Sequence, residues 1–125
     1  MLRSRAAYPP LQLDDRLQEV SIGSWDGLTH VDIDACWPSL LDGTSPFDWF
    51  FKSPDGESYE SAVERVRGWL EGLNGTVIAV SHVLLGRIIR GAYPGLPKEQ
   101  APQLPVPPDV IWHLYSGKVD ALAIG

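Results

Sequence analysis

Two side chains stand out for what they could do to a bound molecule. His82 directly follows the apolar run Thr76-Val77-Ile78-Ala79-Val80-Ser81, and Leu84, Leu85, Ile88, Ile89 and Ala92 follow it at helical spacing. A run apolar on both faces predicts a buried strand of a parallel sheet over 76–81. His82 would then sit at the carboxyl end of a strand, where open α/β sheets receive ligands. The start of the next helix adds free backbone N–H groups and a partial positive charge, which suit a phosphate. An imidazole there could donate a hydrogen bond to a phosphoryl oxygen. It could equally bond a nearby carbonyl and do no more than secure the strand end. Glu19 is the second candidate. It lies in a loop between Leu17 and Val20, which would draw its carboxyl toward the interior, and a partly buried carboxyl is a usable proton donor near neutral pH. Composition alone favours the plainer reading, a solvated loop glutamate.

Other polar groups have simpler explanations. Asp55-Gly56-Glu57-Ser58 could shape a pocket wall, but a turn followed by a helix cap accounts for most of it. Asp14-Asp15 and Asp32 with Asp34 have no His or Cys at ligand spacing, so solvated charge is expected there and no metal site. Cys36 is the one cysteine, which rules out an internal disulfide and a cysteine-based metal cluster. The five tryptophans, Trp25, Trp37, Trp49, Trp69 and Trp112, read as core and pocket walls. His30 and His113 read as structural.

The elements that must position these groups follow from periodicity. Thr29 predicts the cap of a short helix from about His30 to Cys36, stopped by Pro38. Residues 38–57 read mostly as loop, with the apolar stretch Pro46 to Phe51 folding onto the domain. Tyr59, Ala62, Val63, Val66, Leu70 and Leu73 predict an amphipathic helix over 58–73, capped by Ser58 and ended at Asn74-Gly75. In the helix after His82, Arg87 and Arg90 are expected to face away from the core. Six prolines between Pro94 and Pro108 require an extended connection. Val110 to Tyr115 and Lys118 to Ala123 predict two strands joined at Ser116-Gly117 as a hairpin. The whole of 1–125 reads as a single domain.

Charge and composition narrow the function. A net charge of −6 argues against a nucleic-acid or anionic-membrane partner, since each needs clustered Lys and Arg. No run of 18 apolar residues spans a bilayer, and no apolar stretch follows Arg5 that would serve as a signal peptide, so a cytoplasmic setting is expected.

Three motifs in order carry a resemblance. Leu17-Gln18-Glu19-Val20-Ser21-Ile22-Gly23-Ser24-Trp25-Asp26-Gly27 resembles L-x-E-x-x-x-G-x-W-x-G. Gly56-Glu57-Ser58, opening a helix with an internal Arg65, resembles a G-E-S segment. Val77 to Gly86, VIAVSHVLLG, resembles a strand that delivers a catalytic His, and Gly95-Leu96-Pro97 fits the same order. Together they resemble the C-terminal part of the histidine phosphatase (phosphoglycerate-mutase-like) superfamily, over about residues 13–119.

The resemblance implies a reduced three-layer α/β/α fold without its first strand-helix-strand and with a C-terminal hairpin. It implies phosphoryl transfer on small phosphomonoesters through a phosphohistidine, with no cofactor or metal. His82 takes the role of the second, phosphate-holding His, and Glu19 that of proton donor to the leaving alkoxide. Met1-Leu2-Arg3 resembles the end of an S-P-L-x-R segment, which nominates Arg3 for phosphate. The attacking His of an Arg-His-Gly motif is absent, because His30, His82 and His113 follow Thr29, Ser81 and Trp112. A truncated, inactive phosphatase is therefore expected, or a non-catalytic module that binds a phospho-ligand or a protein. Val83 departs from the glycine usual after this His, and a β-branched residue there narrows the approach to phosphate. With the first strand missing, 76–81 would offer an open sheet edge to a second copy.

Overall fold

The computed structural model describes residues 10–124, so Arg3, nominated for phosphate, lies outside the described residues. The fold is built from helices plus a two-stranded antiparallel sheet, the make-up of a small α/β fragment. Among the described residues three α-helices occur: α1 at His30–Cys36, α2 at Tyr59–Glu71 and α3 at Val83–Ala92. Strands β1 (Val110–Tyr115) and β2 (Lys118–Ala123) close the chain. Single turns of 3-10 helix at Asp15–Leu17, Gly23–Trp25, Trp49–Lys52 and Ala101–Gln103 stiffen the connections.

Local chemistry explains where the first two helices begin. The Thr29 hydroxyl accepts from the Asp32 N–H while the Asp32 carboxylate accepts from the Thr29 N–H, a reciprocal cap that starts α1. The Ser58 hydroxyl accepts from the Ser61 N–H at 3.0 Å and starts α2. α2 then presents Ala62, Val63, Val66 and Trp69 to Leu84, Leu85, Ile88 and Ile89 of α3. Ala62, Val66, Leu85 and Ile88 are fully enclosed, and Val20, Tyr59 and Ala101 complete the core. α3 also lies close against the Ala101–Gln103 turn. A Cβ on Gly91 would come within 2.5 Å of the Ala101 methyl, so this contact needs glycine.

A second, aromatic cluster covers the N-terminal half. Trp25 is fully buried, edge-on to Trp37 at 5.9 Å and stacked with Trp49 at 6.3 Å, and a contiguous chain of rings runs on through Phe50 and Phe51 to Tyr59. The hairpin follows the expected register, Val110 opposite Ala123 and Tyr115 opposite Lys118. Ser116 and Gly117 both take positive φ, the left-handed pair that a two-residue hairpin turn requires.

Two expectations need correction. Residues 76–81 form no strand among the described residues, and they are not buried: Ile78 is 86% exposed and Val80 87%. A strand exists only where neighbouring backbone completes its ladder, and the apolar pattern of 76–81 does not supply that neighbour. Arg90 does not face solvent. It is buried, with its guanidinium 4.1 Å from the centre of the Trp112 ring, a cation–π contact that holds the hairpin onto α3. Arg87 is half-buried and donates through Nε to the Leu104 carbonyl at 2.8 Å, tying α3 to the proline-rich connection.

Candidate functional site

The site forms where the loop carrying Glu19 meets the start of α3. Glu19 lies just after the 3-10 turn Asp15–Leu17, itself capped by Asp14, which accepts from the Arg16 N–H. The Ser81 hydroxyl donates to the Leu17 carbonyl at 2.7 Å and fastens the residue before His82 to this loop. The Glu19 carboxylate then accepts from the Leu84 N–H at 3.0 Å and the Leu85 N–H at 2.8 Å, and from its neighbour Val20 at 3.0 Å. It supplies the cap that α3 lacks locally. His82 occupies the N-cap position with extended backbone, but its side chain makes no cap hydrogen bond and is exposed.

The expected free N–H groups at the start of α3 are therefore partly taken, and an internal carboxylate takes them. A negative charge is what a helix N-terminus favours, and Glu19 satisfies that preference from 65 residues away. In this arrangement its oxygens serve as acceptors. Donating a proton would require release from those N–H groups.

The other motif residues hold the loop in place. Gly23 takes a positive φ, and a Cβ there would come within 2.5 Å of the Asp55 carboxylate. That carboxylate accepts from the Ser24 N–H and the Ser24 hydroxyl, and the Ser24 bonds hold its pKa below the ordinary value. Gly56 passes so close to the Ser21 carbonyl that a Cβ would stand 2.8 Å from it, while Glu57 N–H donates to that same carbonyl at 2.7 Å. Glu57 pairs with Arg65 through two 2.8 Å hydrogen bonds, and Arg65 also donates to the Arg16 carbonyl at 2.6 Å. The Arg65 guanidinium keeps the Glu57 carboxyl below its usual range. The Gly-Glu-Ser segment thus reads as architecture: close approach, ion pair and helix cap.

A cleft of about 530 Å³ opens beside Glu19. Val20, Ile22, Trp49, Phe50, Val83 and Leu84 give it apolar walls, and Arg87 and Asp26 are its other charged groups. His82 is not among the cleft's lining residues, although Val83 and Leu84 beside it are. Glu19 and His82 are thus brought to the same helix start. Sequence reasoning missed three contributors, Arg87, Trp49 and Phe50. The apolar stretch 46–51 signalled that the aromatics pack, but nothing local says that they do so beside Glu19. Asp14-Asp15 and the Asp32–Asp34 pair stand apart from the site. Asp14 is ion-paired with Arg16 at 2.7 Å, which lowers its pKa to about 2. Asp32 caps α1. His30 sits edge-on to Trp49 at 4.6 Å, and His113 stacks on Tyr115. Among the described residues no three His, Cys, Asp or Glu side chains come together as a metal-ligand set, and no helix is long and apolar enough to cross a membrane.

Comparison with known proteins agrees with the motif order. Residues 2–116 match the family model of the histidine phosphatase superfamily (branch 1). A Caenorhabditis elegans 6-phosphofructo-2-kinase/fructose-2,6-bisphosphatase is 29% identical over 93 residues, which cover 73% of this chain and 20% of that protein. The match thus spans about a fifth of that relative's length. No solved structure matches.

Proposed function

The chain belongs to the histidine phosphatase superfamily, and we propose that it carries the leaving-group half of a phosphomonoester site, without the nucleophile, and binds small phosphorylated molecules. The observation that carries this reading is the Glu19 carboxylate anchored on the first turn of α3, two residues beyond His82, at the edge of a cleft that also holds Arg87. His82 and Arg87 would meet phosphoryl oxygens, while Glu19, once freed from the Leu84 and Leu85 N–H groups, would protonate a leaving alkoxide. The residues of this chain include no Arg-His-Gly, so the covalent phosphohistidine step has no attacking group here. Hydrolysis by this chain alone is expected to be undetectable. The reading needs no metal or cofactor, and the exposed thiol of Cys36 suits a reducing, cytoplasmic setting.

The test pairs two measurements on the purified chain. Titration with inorganic phosphate should move the His82 and Leu84 resonances in NMR, and an aryl phosphate should not be turned over. Turnover that vanishes in His82→Ala would overthrow the inactivity claim. Unmoved His82 resonances would remove the phosphate site.

The exposed apolar segment 76–81 favours a second reading, a protein-interaction module that pairs with another copy of itself. Val77, Ile78 and Val80 are open to solvent, and no charged residue lies between Glu71 and Arg87 to repel a like chain. Size-exclusion chromatography coupled to light scattering should then show a dimer that Ile78→Lys dissociates. A monomer at all concentrations would exclude it.

A further inference from the structure

The cleft beside Glu19 joins one cation to a largely apolar wall, and that pairing bears on what the bound ester carries. Arg87 is its one cation; Nε is spent on the Leu104 carbonyl, and the Nη groups make no hydrogen bond among the described residues. The rest of the wall is mostly apolar. Val20 is a core residue, and Trp49 and Phe50 are half-buried rings with part of their surface turned to the cleft. These rings are held from behind. Trp49 packs against Trp25 and His30, and Phe50 against Trp49 and Phe51, so they form a rigid surface. Polar groups able to meet a hydroxyl are few. Glu19 is committed to three N–H groups, and the Ser21 hydroxyl already accepts from the Gly23 N–H. The Ser21 O–H and the Asp26 carboxylate remain.

We propose that the site takes phosphomonoesters whose alcohol portion is aromatic or otherwise apolar, with the phosphoryl group at Arg87 and the apolar portion on Trp49 and Phe50. This inference deepens the phosphoester reading and rests on it. A hydroxyl-rich sugar laid on the Trp49 and Phe50 rings would meet carbon rather than hydrogen-bond partners there, and each unpartnered group carries a desolvation cost. An aryl group instead covers apolar surface and gains ring-to-ring contact. One aromatic contact of this kind corresponds to a factor on the order of tenfold in affinity.

The experiment compares 1-naphthyl phosphate, glycerol 1-phosphate, inorganic phosphate and 1-naphthol by NMR titration of the full chain. Naphthyl phosphate should bind about tenfold more tightly than glycerol phosphate, with intermolecular NOEs from the naphthyl protons to the Trp49 and Phe50 rings in the wild-type chain. Trp49→Leu should bring the two esters to near-equal affinity, and a thermal melt confirms that the variant is folded. The NOEs need no variant and decide the matter if Trp49→Leu does not fold. Equal binding of the two esters by wild type, or a missing NOE, overturns the apolar-ester inference and leaves the phosphoester reading intact. Naphthol binding as tightly as naphthyl phosphate, or no binding by any phosphate compound, overturns the phosphoester reading itself.

Discussion

α2 and α3 solve the same problem at their first turns in opposite ways. α2 is capped by its own neighbour, since the Ser58 hydroxyl accepts from the Ser61 N–H, and the adjacent Glu57 is neutralised by Arg65 within the same helix. α3 begins at His82, whose side chain caps nothing, and borrows a carboxylate from Glu19 in a distant loop. The first arrangement draws its cap from within the turn and ties up the adjacent carboxylate in an ion pair. The second leaves an imidazole unspent and holds a carboxylate that a competing anion could displace. A helix start capped from nearby has no remote carboxylate to displace; the one capped from afar keeps such a carboxylate beside an imidazole that caps nothing.

The largest effect should come from the α2 side. Arg65→Met leaves Glu57 partly buried and unpaired and removes the tie to the Arg16 carbonyl. After discounting for partial exposure, a loss of about 2–3 kcal/mol is expected in urea unfolding. The same variant tests pH dependence. Glu57 has a lowered folded-state pKa, so its contribution is present above the ordinary carboxyl range and is lost as pH falls through the folded-state value. Wild type should lose stability on acidification below about pH 4.5, and Arg65→Met should lose less over that interval. A steeper acid loss in the variant would contradict the pairing.

Glu19→Ala comes next. It orphans the Leu84 and Leu85 N–H groups, and about 1–2 kcal/mol of stability should disappear with them. Ser58→Ala is expected to cost about 1 kcal/mol, the usual worth of a local cap. If Ser58→Ala proved the more damaging, Glu19 would not be the cap of α3. The smallest and sharpest test is at His82. His82→Ser should change the thermal midpoint little in wild type, because Glu19 already holds the N–H groups that a serine would take. In the Glu19→Ala background the same serine should recover roughly half of the lost stability. Additive effects in that cycle would show that the two positions do not share α3's first turn.

The legible parts of this fold are those whose causes are close in sequence. The Thr29 and Ser58 caps, the buried face of α2 and the Ser116-Gly117 turn each depend on residues within a few positions, and each was readable. The helix after His82 was equally plain from its spacing. Arg90 is buried rather than facing solvent because what engages it is remote: Trp112 on β1 covers it, as the equally remote Leu104 carbonyl takes Arg87. The strand over 76–81 failed for a related reason. Side-chain pattern says that a segment would suit a sheet, and only a neighbouring strand makes it one. Of the site, Glu19 and His82 were named from motif and position. Their meeting at one helix start followed from no local rule, and the aromatic wall beside them was visible only as apolar sequence.

The stretch from Thr76 to Ser81 also bears on how the protein must be handled. Six uncharged, proline-free residues rich in valine and isoleucine, open to water, have the composition from which cross-β fibrils nucleate. Concentrated stocks should therefore age by a slow, seedable rise in thioflavin-T fluorescence. A single lysine at Ile78 or Val80 would act as a gatekeeper and lengthen that lag.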